Sequence, residues 1–181
     1  MGGHDMAPDL SDKGGDAPLG LPRPHRSGRR GGAVTPLEVA ALEAALGHRF
    51  VDRDLLARAL THASYVNEHP PLVPQDGLAF VGDAALGLVV AERLLARDPG
   101  AAVGVLTPAR AVLVCRANLA RWAAALGLGA LVNLGRGEEQ TGGRERESIL
   151  ATTLEAVLGA LYLEAGLDAV RTAVDRLASD A

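Results

Sequence analysis

The sequence predicts an all-helical domain. Apolar residues recur at intervals of three and four instead of alternating, only three of the 181 residues are Phe or Trp, and two Thr-Pro pairs carry helix-start chemistry. Thr35-Pro36-Leu37-Glu38 combines an N-cap, a proline at the first helical position and a capping-box glutamate, and Gly47 is placed to end the helix it opens. Further helices are expected over about 54–61, 76–97, 107–126, 147–165 and 167–178. Thr107-Pro108 repeats the cap-then-proline start.

A chain of 181 residues holds one ordinary domain, or one domain and a tail. Residues 1–33 contain eight glycines and four prolines, with Arg23, Arg26, Arg29 and Arg30 near their end, and read as a disordered arm ahead of a domain over 34–181. The net charge of -4 argues against broad adhesion to nucleic acid or anionic lipid, though not against a local basic face. One cysteine, Cys115, rules out an internal disulfide and a cysteine-rich zinc site; among Val112, Leu113 and Val114 it reads as a small buried apolar group. No secretory or transit signal is read in the first 30 residues, and no apolar run approaches the roughly 20 residues of a bilayer span. A soluble cytoplasmic protein without a membrane segment is therefore expected.

Two acids stand out. The segment 78–91, LAFVGDAALGLVVA, is apolar around its circumference except for Asp83, and 149–163, ILATTLEAVLGALYL, carries Glu155 as its only ionisable group besides the Tyr162 phenol. Both helices are expected to be buried on nearly all sides. A lone carboxylate there costs several kcal/mol unless a cation, a metal or hydrogen-bond donors compensate it. Ala84 and Gly87 follow Asp83 by one and four residues, as Ala156 and Gly159 follow Glu155, so the helices are expected to cross at those small residues. Asp83 and Glu155 would then face one another and form a site for a hard divalent cation, Mg2+ with Mn2+ as a substitute. The competing arrangement pairs each acid with an arginine in the core or at a subunit interface.

Other constellations read as structural. His62 and Ser64 lack an orienting carboxylate and a nucleophile elbow, so a hydrogen-bonding role is expected. The pairs Gly127/Gly129 and Gly135/Gly137 lack the third glycine and preceding strand of a dinucleotide site, and the only lysine is Lys13, so no nucleotide cofactor is expected.

The runs LLARALTHASYVNEHP (55–70), DGLAFVGDAALGLVVAERLLARDPG (76–100) and GLGALVNLGRGEEQTGGRERESILATTLEAVLGALYLEAGLDAV (127–170) resemble, in order, the catalytic domain of bacterial ribonuclease III. That resemblance covers about residues 35–178. It implies a two-fold homodimer that holds double-stranded RNA between its subunits and hydrolyses phosphodiesters with Mg2+. It also implies that Phe80 plugs a socket in the partner, that Asp83 and Glu155 are catalytic metal ligands, and that Asp76 and Thr152 stand in their outer shell. The chain departs from the family pattern where Ala79 and Thr152 replace two further acids, and where Val103 and Pro108 replace a glutamate and an arginine. The compact Mini-ribonuclease III proteins share the Ala and Thr replacements and are working nucleases. No C-terminal double-stranded-RNA-binding domain is expected, which leaves RNA contact to Arg136, Arg144 and Arg146. Two functions follow: a metal-dependent endoribonuclease on double-stranded RNA, with rRNA maturation as one possible setting, or an inactive dimer that serves as an RNA-binding or ribonucleoprotein scaffold.

Overall fold

The computed structural model describes residues 35–179; the arm expected over 1–33 lies outside them. The described residues form α1 (Pro36–Leu46), α2 (Arg53–Ala59), α3 (Ala63–Glu68), α4 (Asp76–Arg97), α5 (Val103–Leu113), α6 (Arg116–Ala125), α7 (Leu128–Leu131), α8 (Arg136–Gln140), a 3-10 turn (Gly143–Glu145) and α9 (Glu147–Ser179). Among them the only β feature is an isolated parallel bridge between Thr61 and Asn133.

The first helix opens as its sequence dictates. Thr35 Oγ1 accepts from the Glu38 amide at 3.3 Å, and the Glu38 carboxylate accepts from the Thr35 amide at 2.8 Å. Gly47 closes it at φ 74°, and the Arg176 guanidinium lies against that glycine and donates to Ala44 O at 2.8 Å. A second tie joins the end of the fold to its beginning. Glu164 accepts from the amides of Val51 at 3.1 Å and Asp52 at 2.7 Å and meets His48 Nε2 at 2.6 Å. Burial pushes the Glu164 carboxyl up, but His48 and the two amides outweigh it and hold it below its ordinary range.

α4 and α9 form the centre, and α1, α2, α5, α6 and α7 pack around them. Leu78, Leu86 and Val89 of α4 and Leu154, Val157, Leu158 and Leu161 of α9 are buried in the same core. The two helices touch backbone to backbone. A Cβ added to Gly82 would overlap the Glu155 carbonyl oxygen, and one added to Gly159 would overlap the Leu78 carbonyl oxygen. The expected crossing therefore exists, but on α4 it runs through Gly82 instead of Ala84 and Gly87. Ala84 is exposed and Gly87 faces open space, because both lie on the outer side of the helix.

Three further expectations are corrected. α4 is not buried all round: Phe80, Leu88 and Leu95 are exposed along it. The helix expected to start at Thr107 starts at Val103, with Pro108 inside it. It ends at Leu113, and α6 departs at 44° after Cys115, which is an exposed N-cap residue and not a buried one. Asn118 explains the break, since its Nδ2 donates to the orphan Leu113 carbonyl at 2.6 Å. The long C-terminal helix divides as expected at Gly166, whose φ of 77° and ψ of -175° are not helical. By length and composition α9 could cross a membrane, but 61% of its most apolar window is buried within the protein, as befits a core helix.

Because the overlap at the crossing is with backbone, no side-chain rotation relieves it. Gly159→Ala is expected to cost about 3 kcal/mol or more, whereas Gly87→Ala, in open space on the same pair of helices, should be neutral or slightly stabilising. Equal thermal denaturation midpoints for the two variants would contradict this packing.

Candidate functional site

The Gly82–Glu155 contact places Asp83, the next residue of α4, beside Glu155 on α9. Asp83 is exposed and Glu155 is half-buried. The Glu155 carboxyl is pushed up to about 7, first by burial and then by the neighbouring Asp83 charge, with Arg116 pulling in the opposite direction. Two acids thus lie side by side, and their like charges are not compensated by a direct partner. Among the described residues neither forms an ion pair. The arrangement in which each acid is neutralised by a guanidinium from the core of its own chain is absent there.

Arg116 is the residue that sequence reading missed. It opens α6, is exposed, and is felt by Glu155, yet it lies 39 residues away in the chain with no spacing that marks it. Asp76 is exposed in the first turn of α4, and Thr152 is half-buried one turn before Glu155. Ala79, one turn before Asp83, is buried against the core. No group of three or more His, Cys, Asp or Glu side chains suited to a metal occurs among the described residues, so the donor set is the Asp83–Glu155 pair itself.

That pair fits Mg2+ or Mn2+. Mg2+ takes one or two carboxylates and fills its other positions with water or phosphate oxygens, and a divalent cation would relieve the repulsion that raises Glu155.

The three arginines expected to meet RNA are not presented as one free set. Arg144 donates from Nε and Nη2 to Glu139 Oε1 and from Nη1 to the carbonyls of Gly129 at 2.8 Å and Val132 at 3.0 Å. It thereby closes the end of α7. Arg146 pairs with Glu138 at 2.5 Å and donates to Thr141 Oγ1 at 3.0 Å. Arg136 differs: its side chain is 91% exposed, and its Nε stands 3.8 Å from Glu68. His62 caps α3, accepting at Nδ1 from the Ser64 amide at 3.2 Å, while Ser64 Oγ accepts from the Gly135 amide at 2.9 Å. His62 Nδ1 also meets Ser64 Oγ at 2.8 Å, so it holds the hydroxyl that joins α3 to the start of α8.

Phe80 is 79% exposed, and Leu88 and Leu95 follow it along α4. Neighbouring α5 buries none of its residues and exposes Val103, Val105 and Val112. These two helices leave a broad apolar surface uncovered.

A family profile of ribonuclease-III-like proteins matches residues 52–180. Ribonuclease 3 of Geobacter metallireducens is 50% identical over 138 residues, 75% of this chain and 56% of that protein. Ribonuclease 3 of Heliobacterium modesticaldum is 47% identical over 148 residues, 81% of this chain and 63% of that protein. The chain thus spans only a little over half the length of these relatives. Among solved structures, the nuclease domain of ribonuclease III from Campylobacter jejuni, described for flexibility in the region involved in dimer formation, matches with a TM-score of 0.73. The two are 39% identical, over 78% of this chain and 96% of that one.

The raised Glu155 carboxyl has a stability consequence. Its protonated form suits the fold, so the group imposes no penalty below the ordinary value of 4.5 and becomes destabilising as pH rises through about 7. Metal-free Glu155→Gln is expected to be more stable than the wild type by about 2 kcal/mol at pH 8, after discounting for solvent on the open side, and by little at pH 5. A pH-independent difference in thermal unfolding would contradict the electrostatic description.

Proposed function

The chain belongs to the ribonuclease III-like family, and from that premise we propose that it is a metal-dependent endoribonuclease acting on double-stranded RNA. The observation that carries this reading is the juxtaposition of Asp83 and Glu155 across the glycine crossing, with Glu155 raised to about 7 by burial and by Asp83. Asp83 and Glu155 would hold one Mg2+ or Mn2+. The ion supplies, when bound, an activated water and charge stabilisation at the phosphate. Because burial and the Asp83 charge raise the Glu155 carboxyl to about 7, a proton competes with the ion at Glu155 below that pH. Asp76, two turns before Asp83 on α4, and Thr152, one turn before Glu155 on α9, would act through water in the outer shell.

RNA contact in this reading falls first to Arg136, the least constrained of the three loop arginines, with Arg144 and Arg146 holding the loop that presents it. Arg116 adds positive charge beside the acids, where a phosphate would lie. The uncovered surface of α4 and α5, with Phe80 its most exposed aromatic side chain, is covered by a second copy of the chain in a two-fold homodimer. Processing of structured RNA in the cytoplasm, rRNA precursors included, is the setting this activity fits.

One observation favours a second reading. The positions one turn before each acid carry Ala79 and Thr152, so the site has half the carboxylates of the usual family pattern. A protein that retained the fold and dimer without hydrolysis would serve as an RNA-binding or ribonucleoprotein scaffold.

Incubating a long duplex RNA with the purified protein and Mg2+ or Mn2+ separates the two. The endoribonuclease is expected to cleave, and Asp83→Asn and Glu155→Gln should each reduce the rate by about 100-fold or more. An inert wild type that gains cleavage on combining Ala79→Glu with Thr152→Asp would establish the scaffold reading instead. For the dimer, sedimentation of Phe80→Asp should give a folded monomer where the wild type gives a dimer; a wild type that sediments as a monomer would contradict the assignment.

A further inference from the structure

Aromatic side chains are scarce in this chain, with two Tyr, two Phe and one Trp among 181 residues. One of the tyrosines, Tyr65, stands on α3, a helix of six residues that buries none of them. One turn later comes His69, and the two rings stack with centroids 3.9 Å apart and planes 14° from parallel. His69 Nδ1 donates to the Tyr65 carbonyl at 2.9 Å, which holds the imidazole in the stacked orientation. His69, Pro70 and Pro71 are all exposed, so the stack ends at the surface. A fixed aromatic pair outside the core adds little apolar burial to stability, and what it offers instead is a flat π face.

The same short helix holds the start of α8. Ser64 Oγ accepts from the Gly135 amide at 2.9 Å, and a Cβ added to Gly135 would overlap the Ser64 carbonyl oxygen. Glu68, the neighbour of His69, accepts from the Arg136 amide at 2.8 Å, and its Oε2 stands 3.8 Å from Arg136 Nε. The exposed Arg136 guanidinium therefore rises from the segment that adjoins the Tyr65–His69 stack. A ring face and a guanidinium on adjoining elements match the two halves of a nucleotide, the base stacking on the ring and the phosphate pairing with the cation. A base inside a duplex is already stacked between its neighbours. Only an unpaired base can turn out onto a protein ring.

We propose that Tyr65 and His69 form a stacking platform for an unpaired nucleobase flanking the duplex, with Arg136 on the adjoining phosphate. His69, the more exposed of the two rings, is the one the base meets, and Tyr65 backs it. The proposal rests on the reading of this chain as a nuclease of double-stranded RNA. It adds a substrate preference: a duplex that carries single-stranded nucleotides is bound more tightly than a blunt one.

Equilibrium binding to the full chain without divalent ions, so that no cleavage intervenes, tests it with three RNAs. They are a blunt duplex, the same duplex with a short single-stranded tail on each strand, and the tailed duplex with abasic sugars at the unpaired positions. The tailed RNA is expected to bind about tenfold more tightly than the blunt one, and the abasic tail to lose that gain although its phosphates remain. His69→Gln keeps a side-chain donor but no ring, and should bring the ratio of tailed to blunt affinity close to one. His69→Phe keeps a ring but no Nδ1 donor, and should preserve most of the ratio. Arg136→Ala should weaken binding of all three RNAs, because each presents phosphates. Equal affinity of the wild type for tailed and blunt RNA, or an abasic tail as good as the intact one, would overturn the platform while leaving duplex binding in place. A ratio retained in His69→Gln, or lost equally in His69→Gln and His69→Phe, would also overturn it, the latter by making His69 a hydrogen-bonding residue of the fold. Absence of duplex binding by the wild type would overturn the double-stranded-RNA reading and this inference with it.

Discussion

Close approach of two helix backbones is the constraint on which the rest depends. Gly82 and Gly159 let α4 and α9 touch along their carbonyls, closer than any side chain would allow. The approach buries Leu78, Leu86 and Val89 against Leu154, Leu158 and Leu161, and it brings the residue after Gly82 beside Glu155. Packing and chemistry therefore share one contact. A fold with a wider crossing would keep its core composition and lose the juxtaposition of acids.

Electrostatics at that contact runs against stability. Burial and the Asp83 charge both oppose ionisation of Glu155, and Arg116 relieves only part of this. Elsewhere the same chain manages its carboxylates differently. Glu43 is buried but accepts from Arg53 at 2.6 Å and from the Phe50 amide at 2.9 Å, and Glu164 is satisfied by His48 and two amides. Among the described acids that are at least half-buried, Glu155 is thus the exception. A half-buried acid left without a cation beside a second acid is what the proposed divalent-ion site requires.

Much of this was legible in the sequence, and the failures have identifiable causes. The caps at Thr35 and Gly47 and the bounds of α4 follow from local chemistry that the tertiary structure respects. The pairing of Asp83 with Glu155 could be read because each is a lone charge in an apolar run beside small residues. Which small residues make the contact could not, since Gly82 and Gly87 are equally small and only the orientation of the helix in the fold distinguishes them. The break at Val114–Cys115 escaped notice because Asn118 holds it from the following helix, with no glycine or proline at the break to mark it. Arg144 and Arg146 looked like a free basic loop because a mixed-charge sequence does not say which carboxylate or carbonyl each guanidinium will find. Arg116 depends on long-range proximity and left no local trace.

The central claim is that Asp83 and Glu155 share one divalent ion, and it is tested most directly by soaking crystals of the protein in Mn2+ above pH 7 and locating the metal by anomalous scattering. The account predicts one strong peak per protomer within coordination distance of carboxylate oxygens from both residues. A peak bound by only one of them, or Arg116 swung in to bridge the acids with no metal between, would contradict it.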